Sequence, residues 1–471
     1  MGYIAGVVDK RGEDASERIL QLLQAASKAE AYSFGIADGN NAESFRVAPE
    51  FTSLSGPVLI GSKNIHADEY PSQPLNQGNQ SLVFNGILYD TLEPDTLVAA
   101  NILEESMLDG VRNLINERKG AYAVAVVEED RIICGLDHIG TIPLYYGENS
   151  ETKAVASNRR MLASIGIEGN PVQPGTLLRF SEKTTDQHLI RSLRKPDSIN
   201  VPEKEILEQL DLLFTEASEN LASKLRRGTV AFSGGVDSTL IASYLSEAGA
   251  QLELITTGLE NRPELEIASA AADHLGLPIH TEVFTVEDVE DQLDDIIYSV
   301  EEPHPVKIGV AYPFHWTSMK AFSLGYDTVF SGNGADEVFG GYKRHQLAHA
   351  VGEDAESMMY KNTSDSWINN FHRDTKTCLD QGTRLILPFT HPDIIEYGLG
   401  IPVQLKLTGA EDGLRKIILR KLAKRKGIPD RFSDRPKKAA QYSTGVNKAL
   451  RKIAKRKRMN VRELILSRFK N

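Results

Sequence analysis

Residues Ser233-Gly234-Gly235-Val236-Asp237-Ser238 have the types and spacing to hold a polyphosphate. They follow the apolar run 228–232 and precede the helical pattern 239–245, so a strand, a glycine-rich turn and a helix start succeed one another. Two glycines let the backbone approach an anion, and a helix start offers unpaired N–H groups and a positive dipole end. Ser233 and Ser238 add hydroxyl donors, and Asp237 is of the type that holds Mg²⁺ against phosphates. The loop lacks the Gly-Lys-Thr of triphosphate hydrolases and reads as a pyrophosphate cradle. The plainer alternative, an ordinary Ser/Gly-rich strand–helix turn, is disfavoured by that context.

The elements that must position this loop alternate. Strand 230–232 is followed by helix 238–247, strand 252–257, helix 263–275 and strand 280–284, with mostly helical patterns beyond Val310. This order predicts a doubly wound parallel α/β sheet that binds its ligand at the carboxyl ends of the strands. The first half differs. Short strands at 3–8, 58–61, 81–84, 121–127 and 176–180, with helices at 17–28 and 95–108, predict an α+β sandwich of antiparallel sheets with helices outside. The boundary is expected in a linker at 191–204, which holds two prolines and mixed charge, giving domains 1–190 and 205–471.

A chain of 471 residues exceeds one compact core, and 41% hydrophobic with 25% charged residues is the balance of an ordinary soluble protein. No apolar run is long enough to span a bilayer, and no basic-then-apolar leader opens the chain. Position 6 is glycine, so the myristoylation pattern that Gly2 suggests is not met. Cys134 and Cys378 form neither a disulfide framework nor a Cys-x-x-Cys site. A cytoplasmic location is expected. The net charge of −12 conceals a basic stretch, Arg415 to Arg458, with eighteen Lys/Arg against only Asp430 and Asp434. It reads as solvated helix surface, a basic face near bound polyphosphate, or a nucleic-acid patch. Sparse aromatic interleaving disfavours the last, and neither nucleic acid nor membrane is expected as a partner.

Three further segments accompany the loop: 331–342 (Ser-Gly-Asn-Gly-Ala-Asp-Glu-Val-Phe-Gly-Gly-Tyr), the pair 387–389 and 401–406, and 435–442 (Arg-Pro-Lys-Lys-Ala-Ala-Gln-Tyr). With Thr256-Thr257-Gly258 and 299–313, they occur in the order that resembles the synthetase domain of asparagine synthetases, whose loop is the PP-loop of ATP pyrophosphatases. The first half, through Asn85-Gly86, Asp95, 137–146 and 174–176, resembles their class II glutamine amidotransferase domain, of N-terminal nucleophile hydrolase type. The resemblance covers nearly the whole chain. It implies ATP and Mg²⁺ as cofactors, adenylation of a carboxylate with release of pyrophosphate, and attack by an amine. Ser233, Gly234, Gly235 and Ser238 would grip pyrophosphate, and Asp237 and Asp336 would share Mg²⁺. Lys437 or Lys438, with Lys438 preferred, would neutralise developing phosphate charge, and Thr257, Gly258, Ser331 and Gly332 would contact the nucleotide. Singly, the glycines can be turn formers, Asp336 a helix cap and the lysines solvated.

Two departures fall in the first half. The family's glutaminase nucleophile is a cysteine after the initiator methionine, and here the residue is Gly2. The arginine expected on the glutamine carboxylate corresponds to Asn64. Asn85 and Gly86, the implied oxyanion hole, remain with Asp95 as a vestigial pocket in a half expected not to hydrolyse glutamine. In the second half Asn333 replaces an acidic residue and cannot be a general base. Val306-Lys307-Ile308-Gly309 replaces Thr-Thr-Ile-Arg, which shifts a cation to Lys307, either facing the substrate or exposed.

The leading expectation is therefore an amide-forming ligase of the asparagine synthetase type, acting on aspartate with free ammonia and compatible with a homodimer. A β-lactam synthetase-like ligase with another acceptor, a nucleotide-binding scaffold and a tRNA-thiolating pyrophosphatase follow in that order.

Overall fold

The computed structural model describes residues 2–65, 72–103, 106–409, 414–436 and 439–469. The chain divides into two compact units, Met1–Leu193 and Arg194–Asn471. Residues 190–202 carry no regular element, and the next helix starts at Glu203.

The first unit holds two antiparallel sheets, of seven and six strands among the described residues. Strand β1 (Gly2–Asp9), buried along its whole length, is the centre of the first, and β2 (Val58–Asn64) pairs beside it with Gly2 opposite Asn64. In the second sheet β3 (Gln80–Leu88) pairs with β4 (Gly120–Glu128). Alternating apolar residues of these strands pack against helices Asp95–Leu103 and Met107–Glu117, with Phe84 stacked on Tyr122 at 5.6 Å. The expected antiparallel α+β sandwich is thus present.

The second unit is built on a five-stranded parallel sheet. Its strands are β5 (Arg227–Ala231), β6 (Gln251–Leu259), β7 (Ile279–Phe284), β8 (Thr328–Phe330) and β9 (Arg384–Ile386), in the order β7-β6-β5-β8-β9. The order reverses at β5, whose neighbours β6 and β8 lie on opposite sides. Loops leaving β5 and β8 therefore open the crevice where doubly wound sheets bind ligands. Helix α1 (Val236–Glu247) follows β5, and α2 (Pro263–Leu275) runs from a proline in its first turn to a left-handed Gly276. Helix α3 (Pro305–Ser323) buries Trp316, stacked on Phe284 at 4.1 Å, in a core completed by C-terminal helices.

Much of the basic stretch faces acids of neighbouring helices. Lys421 bonds Glu203 at 2.6 Å, Lys424 bonds Asp434 at 2.6 Å, Arg456 bonds Glu287 at 2.9 Å and Lys457 bonds Glu290 at 2.8 Å. Such exposed pairs contribute little each. They account for this part of the charge as helix surface, whereas among the described residues Lys416 and Arg420 are buried. Among the described residues no helix is long and apolar enough to cross a membrane.

Candidate active site

A cavity of about 570 Å³, within the size range of small-molecule sites, opens at the carboxyl ends of β5, β6 and β8. Ser233, Asp237, Ser238, Thr257, Ser331, Gly332 and Asp336 line it. Gly234, Gly235 and Gly258 are not among its lining residues. Gly234 has φ +64°, and a Cβ there would stand 2.9 Å from Ala268 Cα, so glycine lets the loop press against α2. Ser238 Oγ donates to the Gly235 carbonyl at 3.3 Å and lies 3.3 Å from Ser233 Oγ, folding the loop over the start of α1. Gly332 allows the second loop to nest on the first: a Cβ there would lie 2.8 Å from Asp237 Cβ and 3.1 Å from Ser238 N.

This nesting brings Asp237 and Asp336 together. Both carboxylates meet one ammonium, that of Lys416, at 2.6 Å and 2.5 Å. The lysine side chain is only 2% exposed. It stands at the left-handed start of helix α4 (Ile417–Arg425), with φ 60°. Gly341 supplies the room, since a Cβ there would lie 1.8 Å from Asp336 Oδ1 and 2.3 Å from Lys416 Cε. Two acidic oxygens so placed seat one cation, the lysine's own ammonium. Among the described residues no group of three or more His, Cys, Asp or Glu forms a metal cage. Two carboxylates completed by phosphate oxygens and water are a donor set that suits Mg²⁺. Lys437 and Lys438 lie outside the described residues. Ala439, Ala440 and Gln441 just after them line the cavity, and Leu259 N donates to Thr444 O at 2.8 Å, tying this segment to the end of β6.

The other end of the cavity is walled by residues that the sequence reading had not singled out. A π-helical turn, Trp367–Phe371, turns Asn369 and Asn370 inward, and helix α5 (His372–Leu379) follows. Arg373 lines the cavity and grips the buried Asp374 through Nε at 2.6 Å and Nη2 at 3.0 Å. Burial pushes the Asp374 carboxyl up, while Arg373 and the Asn333 amide pull it back. Glu337 is buried, accepts from Tyr342 Oη and from Asn370 Nδ2 at 2.8 Å, and is raised by burial and by neighbouring Asp336. Arg344 lies over the Tyr342 ring at 4.0 Å and donates to Asn362 Oδ1 at 2.6 Å. This end of the cavity therefore presents guanidinium and amide groups around a held carboxyl.

Lys307 corrects one expectation. Its ammonium bonds Glu302 at 2.7 Å and the Ile368 carbonyl at 3.1 Å, and the cavity wall there is Val306 and Val310. The lysine is neither exposed nor substrate-facing; it fastens the start of α3 to the π-helical turn.

In the first unit Asn85 spends both ends of its amide on one residue. Oδ1 accepts from Gly2 N at 3.1 Å and Nδ2 donates to Gly2 O at 2.7 Å, bridging the two sheets. A Cβ at Gly2 would stand 2.1 Å from the Lys63 carbonyl oxygen. Gly86, at φ +144°, passes equally close to Ala121 O, at 2.2 Å from an added Cβ. Asp95 is buried and accepts from Leu88 N at 3.1 Å. The residues of the implied oxyanion hole thus hold backbone.

A crevice at a parallel-sheet switch point, in a chain whose first unit holds antiparallel sheets, fits the class to which the family match below assigns the chain, the ATP-dependent carbon–nitrogen ligases. The chain belongs to the asparagine synthase family, which matches it over residues 209–384 and 348–464, and a glutamine amidotransferase domain matches residues 62–164. It is similar to the putative glutamine-hydrolyzing asparagine synthetase 1 of Methanocaldococcus jannaschii, 27% identical over 454 residues with 82% of each chain covered. Asparagine synthetase B of Escherichia coli is 28% identical over 325 residues, covering 65% of this chain and 58% of that one. Glutamine-hydrolyzing asparagine synthetase 1 of Lotus japonicus is 31% identical over 388 residues, covering 74% and 63%. Among solved structures, the glutamine phosphoribosylpyrophosphate amidotransferase of B. subtilis superposes on 60% of this chain with a TM-score of 0.39 and 16% identity.

Proposed function

We propose that this protein adenylates aspartate with ATP·Mg²⁺, releases pyrophosphate, and joins free ammonia to the activated carboxyl group, without hydrolysing glutamine. The convergence of Asp237 and Asp336 on one cation position beside the Ser233–Ser238 loop carries this reading. Ser233, Ser238 and the N–H groups at the start of α1 bind the departing pyrophosphate. Asp237 and Asp336 hold Mg²⁺, which when bound neutralises phosphate charge. Thr257, Gly258, Ser331 and Gly332 bound the nucleotide, and the family resemblance gives Lys437 or Lys438, with Lys438 preferred, the role of neutralising phosphate charge. Arg344 and the amides of the far wall suit an anionic amino acid. The relatives named above are described as glutamine-hydrolyzing, whereas position 2 here is a glycine without space for a side chain. Ammonia is therefore taken from solution.

Pyrophosphate release from ATP·Mg²⁺, compared with aspartate plus ammonium, aspartate plus glutamine, and no amino acid, tests the proposal. Release and asparagine formation with aspartate and ammonium alone are expected. Turnover with glutamine at a matching rate would refute the ammonia-dependent reading, and none with aspartate would refute the choice of acceptor.

A further inference from the structure

Arg262 lines the cavity and is half-buried, yet its guanidinium has no hydrogen-bond or ion-pair partner among the described residues. By contrast Arg344 bonds Asn362, Arg373 grips Asp374, and Asp237 and Asp336 share Lys416. The nearby acid Glu264 acts instead on the half-buried Arg435. Arg262 stands at the N-cap of α2, where its side chain makes no capping bond and where the helix dipole disfavours a cation. Local stability therefore does not account for it. Gly445 gives the side chain its place. This glycine has φ +87°, and a Cβ there would stand 2.4 Å from Nη2, 2.6 Å from Nε and 2.7 Å from Cζ of Arg262. The near-equal distances set one face of the guanidinium against Gly445, in space that a side chain at 445 would fill. Ser443 and Thr444, just before Gly445, line the same cavity, and Gly234 of the phosphate loop rests on Ala268 further along α2.

We propose that Arg262 binds an oxyanion of the reactants, a phosphate of the nucleotide or the carboxylate of the acid, through the N–H edge of the guanidinium that Gly445 holds in place. A guanidinium edge presents paired donors whose spacing matches two oxygens of either group, and it stays charged at every working pH. Half-buried, Arg262 is only partly hydrated, and an anion entering the cavity supplies its donors with acceptors. The names of the two anions rest on the ligase reading above; the unpaired guanidinium does not. One edge serves one oxyanion, so the two sources are separable.

Calorimetric titration of the full chain with ATP·Mg²⁺, without any acid, reads the phosphate source. The aspartate KM of ATP–pyrophosphate exchange at saturating ATP reads the carboxylate source. Arg262→Met should weaken one of the two roughly tenfold, the scale of one charge-assisted hydrogen bond, and the quantity that moves names the anion. Arg262→Lys keeps the charge without the planar fork and should recover part of the loss. Gly445→Asn suits a left-handed backbone and crowds only the guanidinium, so it should weaken the same quantity with an unchanged circular dichroism spectrum. The loss in Arg262→Met should shrink at high salt, which a merely structural role would not produce. Values within about twofold of wild type in both measurements, an equal loss in both, or a loss insensitive to salt would overturn the inference. Wild-type protein that binds no ATP·Mg²⁺ and exchanges no pyrophosphate would instead overturn the ligase reading. Binding of ATP·Mg²⁺ without aspartate-dependent exchange would overturn the choice of acid, and the inference would then stand or fall on the titration.

Discussion

The ammonium of Lys416 stands 2.5 Å from the Asp336 carboxylate and bonds Asp237 from the same position. The pairs are nearly buried, with side-chain exposures of 2% for the lysine, 19% for Asp336 and 15% for Asp237. Removing one partner from such a cluster leaves its carboxylates less well compensated in a poorly solvated place, which costs more than the pair itself contributes. Lys416→Met should therefore destabilise the second unit by about 3 kcal/mol. Mg²⁺ should restore part of the loss by taking the vacated seat, because a ligand bound only to the folded state adds stability. Urea unfolding with and without Mg²⁺ measures both effects, and a variant as stable as wild type without metal would contradict the assignment of a cation seat.

Asp237 belongs to this cluster and to the start of α1. Asp237→Asn keeps the shape while removing one of the two charges on the seat. Turnover should fall at least about 100-fold, the scale seen when a charge-stabilising group is lost. Steady-state pyrophosphate release, paired with circular dichroism to verify the fold, would show it; an unaltered rate would remove this loop from the chemistry.

Restoring a thiol at position 2 should not restore a glutaminase. A Cβ at Gly2 would lie 2.1 Å from Lys63 O and 2.9 Å from Asn64 Cα, both backbone atoms of a paired strand. Gly2→Cys should lower stability by about 1–3 kcal/mol through overpacking. Glutamate release from glutamine should stay at background. A burst of glutamate from the variant would show that the neighbouring strand yields easily and that the pocket survives.

Two buried histidines predict how stability responds to acid. Burial holds His315 and His345 down at about 4 each, below the ordinary 6.5. As pH falls below 6.5 the unfolded chain binds these protons first, so the folded state loses stability until pH approaches 4. Above 6.5 both contributions are fully present. Each group contributes a slope of roughly 1.4 kcal/mol per pH unit within that window. Urea midpoints at several pH values between 7 and 4 should drop accordingly, and His315→Gln should flatten the decline; a steeper decline in the variant would count against the assignment.

The phosphate loop was legible because its information is local. A β-strand, two glycines, an acid and a helix lie consecutively at 228–247, and each is recognised by short-range sterics and capping. The alternation of strands and helices in the second half, and the dense short strands of the first, likewise follow from residue periodicity. Several elements formed within a few residues of expectation, as with Pro263–Leu275 and the strand that became Gln251–Leu259, whereas the one helix expected at 95–108 is two, Asp95–Leu103 and Met107–Glu117.

Lys307 shows the limit of such reading. Its type and position left open a substrate-facing or an exposed cation, but a neighbouring acid, Glu302, lies within reach on the same turn region and takes it. The family resemblance implied an oxyanion-hole or a structural role for Asn85 without indicating that Gly2, 83 residues earlier, would occupy both ends of its amide.

By itself the sequence determined the two-part architecture, the phosphate-binding loop and the absence of a thiol at position 2, because each is a matter of residue type and short-range order. Only the tertiary structure decided the partners. Lys416 reaches Asp237 across 179 residues and Asn333 meets Asp374 across 41. One lysine among eighteen cations of the basic stretch was singled out because the left-handed start of its helix and the missing side chain of Gly341 open a path to two carboxylates. Charge type is written in the chain, but which charges share a low-dielectric site depends on how the backbone closes around them.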